Sequence, residues 1–420
     1  MDKTKPISSV SVCGEMTLNL HSLNNEGGEG NQIMTRQLTI IDKNGEEKTV
    51  TGISGDMFKH IHAAHMLNYC IENQISVCEG CKTLNPNRIG IDSQFIGILQ
   101  GVDPEQFEDE DKNNYLRLNE ELSGIEDEKS SEYKSKLSEI KKIEKKYISL
   151  KISDEEDRKR YNECVKILDE KLKKSSSDYQ EKKAQQDEAK KTKKTIEKKY
   201  NLDFSDEEKT NKLLESCAID DVHGVLVTAE KNNLPRKSVI EFAWTVGIPG
   251  KNNTETYVHT KLVADAGSKG SATASNEGQN IFHRPANNGV YAFVCNIDTY
   301  RIGLNDINRQ YAIEDGERTN RYKAVLQSLL SSILNPKGAM TSAQKPHITD
   351  FKGVVSVSHK LIPAPTISAL NEDYAKEIND IATNLNKIQA GAIEVEQFDG
   401  FGKLTEIFAS LMDAEPYKIG

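Results

Sequence analysis

The chain has 420 residues, of which 36% are hydrophobic and 29% charged, with a formal net charge of -10 at pH 7. This length allows two or three domains, and the acidic balance argues against a nucleic-acid binder whose whole surface is basic. It leaves room for a groove that is locally basic. Because there is no apolar signal core and no membrane-length apolar run, we expect a cytoplasmic protein with no membrane partner, and its seven cysteines as reduced thiols.

The first part of the chain predicts a strand, a polar loop and a helix. Residues 7–20 alternate between polar and apolar types, as a half-buried strand does. Residues 53–74 place apolar side chains on one helical face, with Ser54 as the N-cap. Lys59 and His60 add positive charge near the N-terminus of this helix, which itself attracts anions.

The pair Cys78-Glu-Gly-Cys81 follows this helix. Its spacing lets both sulfur atoms reach one zinc ion at about 2.3 Å. A closed site needs two more ligands, and the sequence has no second Cys-x-x-Cys; His62, His65 and Cys70 are the nearby candidates. The alternative is a pair of buried thiols at a turn, so we expect no cofactor other than, at most, a structural zinc ion.

Residues 103–216 differ from the rest of the chain in composition. They contain 31 acidic and 27 basic residues in 114 positions, so about half of the segment is charged. Apolar residues recur at steps of three and four over 133–150 and over 161–172, with a break near Ser153 and Asp154. This pattern predicts an antiparallel helical hairpin that projects from the core, and a solvated insertion is favoured over a dedicated binding arm.

Strand-like sequence returns after Ala218. Strands are predicted at 223–228, 238–248, 257–265, 287–304 and 353–362, a helix at 318–334, and helical sequence from Ile367 to the end. Strands and helices in this mixed order predict an α+β fold with a largely antiparallel sheet.

No sequence motif indicates catalysis. The chain has none of the motifs of serine hydrolases, phosphate-loop nucleotidases, zinc peptidases or dinucleotide-binding folds. Asp220 and Asp221 beside His223 are the nearest approach to an acid/base group. Adjacent carboxylates more often mark the entrance to a strand.

Three polar loops are more informative. The first holds Asn24 and Asn25 and ends at Arg36, the second lies between the strands predicted at 257–265 and 287–304, and the third covers 335–347. Amides and hydroxyls bind phosphate, ribose and base edges, and glycines let backbone N–H groups approach phosphates. Three such loops on one core favour a groove for an extended polymer over three plain surface connections.

Four stretches, in order, carry a family resemblance. LNLHSLNNEGGEGNQIMTR, ISGDMFKHIHAAH, IFHRPANNGVYAF and NPKGAMTSAQKPH closely resemble the DevR-type CRISPR-associated backbone subunit, of the RAMP superfamily, of type I-B Cascade complexes. The resemblance implies an RRM-like (ferredoxin-like) palm over 1–102 and 217–370, with a thumb loop at about 266–288. The charged segment 103–216 would then be a fingers-like insertion, and 371–420 a C-terminal helical region that completes the palm.

The resemblance also implies a function. Members of this family bind guide RNA (crRNA), polymerise head to tail along its spacer and present it for pairing with target DNA, so that base pairing reads the sequence. The implied partners are crRNA, target DNA through the guide, copies of the chain itself, and the large, small and guide-end-capping subunits of Cascade. The family binds RNA and is not an enzyme.

The residues that the resemblance places against the guide come from three parts of the chain. Near the first helix they are Arg36, Ser54, Lys59 and His60. In the thumb they are Gln279, Phe282 and Arg284. In the loop 338–343 they are Met340, which would wedge against a base, and Thr341 and Ser342, which would touch phosphate.

Three other functions are also compatible with the sequence. A metal-dependent, guide-directed RNA nuclease of the type III kind would use Asp56 or Asp306. A transcriptional regulator would bind duplex DNA without a guide. A helical scaffold would act through residues 103–216.

Overall fold

The computed structural model of the protein describes residues 4–24, 28–29, 32–125, 127, 130–170, 179–200, 202–229, 232–262 and 279–420. Its strands are β1 (Ser9–His21), β2 (Gly28–Glu29), β3 (Gln32–Ile33), β4 (Gln37–Ile41), β5 (Glu47–Ile53), β6 (Val225–Val227), β7 (Leu234–Arg236), β8 (Ile240–Phe242), β9 (Thr245–Leu262), β10 (Gln279–Ile297), β11 (His347–Ser358) and β12 (Ile393–Asp399). Its helices are α1 (Gly55–Glu72), α2 (Glu79–Lys82), α3 (Ser93–Leu99), α4 (Asp109–Ser123), α5 (Ser131–Leu150), α6 (Glu155–Asp169), α7 (Tyr179–Tyr200), α8 (Asp206–Ser216), α9 (Ala218–His223), α10 (Asp315–Leu334), α11 (Tyr374–Ile388) and α12 (Phe401–Met412).

A ten-stranded sheet forms the centre of the molecule, with the main order β12-β11-β1-β10-β9-β5-β4. The elements β1, α1, β9, β10, α10 and β11 follow one another along the chain as strand-helix-strand-strand-helix-strand. Their four strands lie side by side as β11-β1-β10-β9, and each neighbouring pair is antiparallel. The predicted α+β class with a largely antiparallel sheet is therefore confirmed.

The two faces of the sheet are both covered. Along β1, Val10, Val12 and Met16 point into the large core that also contains the buried faces of α1, α10 and α12. Cys13 points the other way, as the period of two in a strand requires, and packs with Tyr374 and other apolar residues of the segment that leads into α11. Within the described residues, both faces of the central strands are therefore covered where these side chains pack.

The C-terminal region contains a strand that the sequence interpretation missed. Residues after Ile367 were expected to be helical, but β12 pairs with β11 from Lys352↔Asp399 to Ser358↔Ile393 and extends the sheet. In β12 the residues alternate weakly in burial, so the period of two is hard to recognise in the sequence.

Strands β9 and β10 continue past the body of the sheet as a long hairpin arm. Their pairing runs from Gly289↔Asn252 out to Gln279↔Leu262. The prediction of a loop before the strand expected at 287–304 was therefore wrong for 279–286, and 263–278 lie outside the described residues. Both strands of the arm are rich in polar residues. The arm therefore has the hydrogen bonds of paired strands without the apolar alternation that marks a strand in sequence.

The described residues of the charged segment 103–216 form five α-helices, α4 to α8, instead of the single hairpin that the periodicity predicted. The helices α4 and α5 share a small core that includes Tyr115 and Ile140, and α6 and α7 share another that includes Tyr161 and Ile196. The break expected near Ser153 and Asp154 matches the start of α6, where Asp154 is the N-cap. No helix of the described residues is long and apolar enough to cross a membrane.

We expect the fold to lose stability in mild acid because two of its histidines are buried. Burial lowers the pKa of His21 and of His62 to about 4, compared with about 6.5 in an unfolded chain. Between these values the unfolded chain binds protons that the folded protein does not. The free energy of unfolding should fall as the pH drops from about 7 to about 5, by roughly 2 kcal/mol for each histidine. Urea unfolding across this range measures the effect, and a flat profile would contradict it.

Candidate nucleic-acid interface

The start of α1 is held in place by side chains and backbone from distant segments. Ser54 caps the helix by accepting a hydrogen bond from the Met57 backbone N–H at 3.2 Å. The Asn24 side chain donates to the carbonyl of Gly52 and accepts from the Ser54 backbone N–H at 3.2 Å. A Cβ at Gly55 would lie 2.4 Å from the Phe242 carbonyl oxygen, so glycine lets the helix begin directly against β8.

Two cations line a groove beside the first turns of this helix. Lys59 and Arg88 border a pocket of about 360 Å³, together with Asp56, His60 and others. Burial lowers the pKa of Lys59, and the charge of Arg88 lowers it further. Arg88 is oriented by a 2.8 Å hydrogen bond from its Nη1 to the Gly224 carbonyl. Holding two cations together in a half-buried groove costs free energy that a bound anion would offset.

An exposed aromatic ring extends this groove. Trp244 is the single tryptophan of the chain, and 42% of its surface is exposed. The Arg36 guanidinium lies over its ring, 5.2 Å from the centroid, in a cation–π contact. Trp244 lines a second pocket that shares Lys59 and Asp56 with the first, so the two pockets adjoin each other. An exposed indole in such a place offers a surface on which a nucleic-acid base stacks.

Sequence reasoning missed both Trp244 and Arg88. It assigned Trp244 to a continuous strand over 238–248, but the strand is interrupted at Ala243 and Trp244, between β8 and β9. This interruption is what turns the ring out of the sheet. The chain's solitary tryptophan was the available signal, whereas Arg88 lies in a 3-10 turn and has no local signal at all.

The loop 338–343 packs against Leu23, in the loop that follows β1. A Cβ at Gly338 would lie 2.8 Å from the Leu23 carbonyl oxygen, and the Ala339 N–H donates to that same oxygen at 3.2 Å. Thr341 Oγ1 donates to the Gly338 carbonyl at 3.0 Å, while Met340 is half-buried and Ser342 exposed.

The base of the arm reaches the same region. Gln344, which follows the loop, donates from Nε2 to the carbonyl of Pro285 at 3.4 Å. Arg284 is the residue before Pro285 on β10 and is half-buried. The loop after β1, the start of α1, the loop 338–343 and the base of the arm therefore come together.

The predicted site residues fall into three groups in the structure. The first group comprises Asn24, Arg36, Ser54, Lys59 and His60 at or beside the start of α1, Met340, Thr341 and Ser342 in the loop that is joined to Leu23, and Arg284 at the base of the arm. Asn25 lies outside the described residues. For Gln279 and Phe282 the structure gives a position on β10 in the arm and no side-chain description. Within the first group, the Asn24 amide is already engaged in the turn before α1.

The acid/base candidates are not accessible to a substrate. Asp220, Asp221 and His223 belong to α9 and are fully buried. Asp221 pairs with Arg236 at 2.7 Å, and His223 Nε2 bonds to His62 Nδ1 at 2.9 Å. These contacts give the group a structural role in the core.

The cysteine pair has partners other than those expected. His62 donates from Nε2 to the Val325 carbonyl, and His65 donates from Nε2 to the Asn335 carbonyl, so these nitrogens already have partners away from the cysteines. Buried Cys217 and Asp220 lie beside Cys78 and Cys81 instead. Among the described residues, this is the cluster able to hold a metal ion.

The fold and groove define a mixed helical and antiparallel β protein with a surface suited to an extended anion. The sequence matches the family described as CRISPR-associated negative auto-regulator DevR/Csa2 over residues 12–118 and 161–379. This match covers most of the chain, and the protein therefore belongs to that family. The unmatched residues 119–160 fall inside the charged segment.

Solved structures give weaker similarities. A chain of a "CRISPR RNA-guided surveillance complex, pre-nicking" is 12% identical with a TM-score of 0.42, over 98% of this chain and 96% of that chain. A chain of a "CRISPR RNA-guided surveillance complex" is 14% identical with a TM-score of 0.25, over 50% of this chain and 77% of that chain. No curated protein matches the chain at a significant level.

Proposed function

We propose that the protein is a guide-RNA-binding backbone subunit of a CRISPR surveillance complex of the type I-B kind. The observation that carries this proposal is the convergence of Lys59, Arg88 and the Arg36–Trp244 pair on one groove. Cations neutralise phosphates and an indole stacks on any base, so such a groove holds RNA without reading its sequence. Membership of a CRISPR-associated family makes guide RNA the natural ligand.

The order of elements supports an RRM-like palm. The strand-helix-strand-strand-helix-strand order with antiparallel neighbours is that of ferredoxin-like folds. Many RRM domains stack bases on the open face of the sheet. Here the corresponding face is covered by the segment that contains Ala369, Tyr374 and Ile378. This covering favours the groove beside α1, where the polar loops meet, as the RNA-binding surface.

In this function, copies of the chain assemble along the spacer of the crRNA. The β9–β10 arm is then the thumb, which reaches from one copy toward the guide segment held by the next. Gripping the backbone leaves the bases free to pair with target DNA. The large, small and guide-end-capping subunits complete the complex, and the chain itself acts as a binder without catalysis.

Co-purification tests this function directly. The protein is expressed with a CRISPR array, with and without its partner subunits, and the nucleic acid that co-elutes is sequenced. Phased fragments of guide RNA on a protein that runs as a ladder of oligomers are the expected result. A monomer free of nucleic acid, even when the partner subunits are present, would contradict the proposal.

A second candidate function is guide-directed RNA cleavage, and Asp56 is the observation that favours it. Asp56 is exposed and lines both pockets of the groove. Asp306, the other aspartate considered, pairs with Arg236 at 2.7 Å and Arg301 at 3.3 Å and serves the core. Metal-dependent cleavage of guide-matched RNA that Asp56→Ala abolishes would establish this alternative.

The family description also names negative auto-regulation. Sequence-specific binding to duplex DNA in the absence of guide RNA would support a regulator instead of a backbone subunit. The same purified protein, freed of nucleic acid with high salt and nuclease, serves for this comparison. Equal affinity for random duplexes would count against it.

A further inference from the structure

Two short helices begin with the same arrangement of metal-binding residue types. Cys78 is the N-cap of α2, and Cys81 follows three residues later. Cys217 is the N-cap of α9, and Asp220 follows three residues later. In each half the first sulfur accepts a hydrogen bond from the backbone N–H of the second residue, at 3.4 Å. The chain thus contains a Cys-x-x-Cys and a Cys-x-x-Asp that make the same capping hydrogen bond.

The two halves face each other. All four donor atoms lie within 4.8 Å of one another, and all four residues are buried. The Asp220 Oδ2 atom is 3.3 Å from the Cys78 sulfur and 3.4 Å from the Cys81 sulfur. In a tetrahedral zinc site with Zn–S bonds of about 2.3 Å, neighbouring sulfurs are about 3.8 Å apart. The cluster therefore has the size of a four-coordinate zinc site.

Without a metal ion, the buried Asp220 carboxylate would have few partners to stabilise its negative charge. Within the described residues, Asp220 Oδ1 is buried and accepts no hydrogen bond. The Arg88 Nη1 atom lies 3.8 Å away, and Oδ2 receives only S–H groups, which are weak donors. A buried carboxylate in such surroundings costs free energy. A divalent cation at the centre of the four donors would remove that cost.

The surrounding backbone holds the two halves together. The Ala218 N–H donates to the Ser76 carbonyl at 2.9 Å, which joins the segment before α2 to the start of α9. A Cβ at Gly80 would lie 2.0 Å from the Arg88 carbonyl oxygen, so the residue inside the Cys-x-x-Cys must be glycine. This packing keeps the donors close to one another in the folded chain, as a metal site of high affinity requires.

We propose that Cys78, Cys81, Cys217 and Asp220 bind one zinc ion. Three thiolates favour a soft or borderline cation, and four protein ligands with no open position define a structural site. Binding releases the thiol protons to solvent as the zinc–sulfur bonds form. The ion ties the chain before the charged segment 103–216 to the chain after it, and it holds Arg88 next to the groove.

Metal analysis of the purified, full-length protein tests the site. We expect one zinc ion per chain by inductively coupled plasma mass spectrometry, and a lower melting temperature after extraction with a strong chelator. Cys164→Ser is the matched control, since Cys164 is a buried thiol on α6 outside the cluster, and it should keep its zinc. Cys217→Ser should lose it.

Two substitutions at one position keep the test informative if Cys217→Ser fails to fold. Asp220→Asn preserves the shape but weakens the ligand, so zinc should be extracted at lower chelator concentration. Asp220→Cys completes a four-thiolate site and should retain zinc at least as firmly as the natural chain. A folded, fully reduced protein that takes up no zinc at micromolar free zinc would overturn the proposal. So would a disulfide between any two of the three cysteines in protein purified anaerobically.

Discussion

Replacing Lys59 with glutamate is expected to lower the affinity for single-stranded RNA by about ten- to a hundredfold. The substitution removes one phosphate contact and puts a negative charge where the backbone would pass. In the natural chain a bound phosphate relieves the repulsion between Lys59 and Arg88. Because the substitution removes this repulsion, binding no longer gains that free energy. The slope of log affinity against log salt should become shallower by about 0.7. Fluorescence anisotropy with RNA of random sequence, between about 50 and 200 mM salt, measures both quantities.

A control with the same charge change separates the groove from the net charge. Lys376 lies on α11, beside the covered face of the sheet, and 78% of its side chain is exposed. Lys376→Glu should leave both the affinity and the slope almost unchanged. If the two variants behave alike, Lys59 does not touch RNA, and the groove beside α1 is not the binding surface.

Replacing Asp221 with alanine is expected to cause the largest loss of stability. Asp221 pairs with Arg236 at 2.7 Å and with Arg321 at 3.1 Å, and all three side chains are at most 1% exposed. Its Oδ2 also accepts the Gly303 backbone N–H at 2.9 Å. Without the carboxylate, each buried guanidinium loses its fully buried counter-charge and keeps only a partly exposed one, Asp306 for Arg236 and Glu317 for Arg321. Breaking a buried ion pair in this way costs about 3–5 kcal/mol.

Urea unfolding followed by circular dichroism measures this effect. The control is Asp315→Ala, because Asp315 pairs with Lys418 at 2.7 Å but has 65% of its side chain exposed, and exposed pairs contribute little. We expect a large shift of the unfolding midpoint for Asp221→Ala and a small one for the control. A loss below about 1 kcal/mol for Asp221→Ala would show that the two arginines find other partners.

Several elements followed from local sequence alone. The start of α1 was expected at Ser54, and the structure has Ser54 as its N-cap. The helix predicted at 318–334 is α10, from Asp315 to Leu334. Caps and helical periodicity depend on residues three or four positions apart, so a short stretch contains the whole signal.

The elements that the sequence did not predict correctly have a common cause. The polar stretch 279–288 is a strand because β9 supplies its hydrogen bonds, and β12 is a strand because β11 does. In both cases the partner strand, and not the residues of the strand itself, stabilises the conformation. The single helical hairpin expected in the charged segment failed for a related reason, since two small cores there join helices pairwise.

Composition and local pattern were thus sufficient for the α+β class, the first helix with its cap, and the motifs of a CRISPR-associated family. Folding was needed to bring Arg36 over Trp244, Gly338 against Leu23, and Cys78 next to Cys217. These contacts join residues that are more than a hundred positions apart. Such residues meet because strands pair and apolar faces are buried together, and no local period or motif records which distant segments will do so.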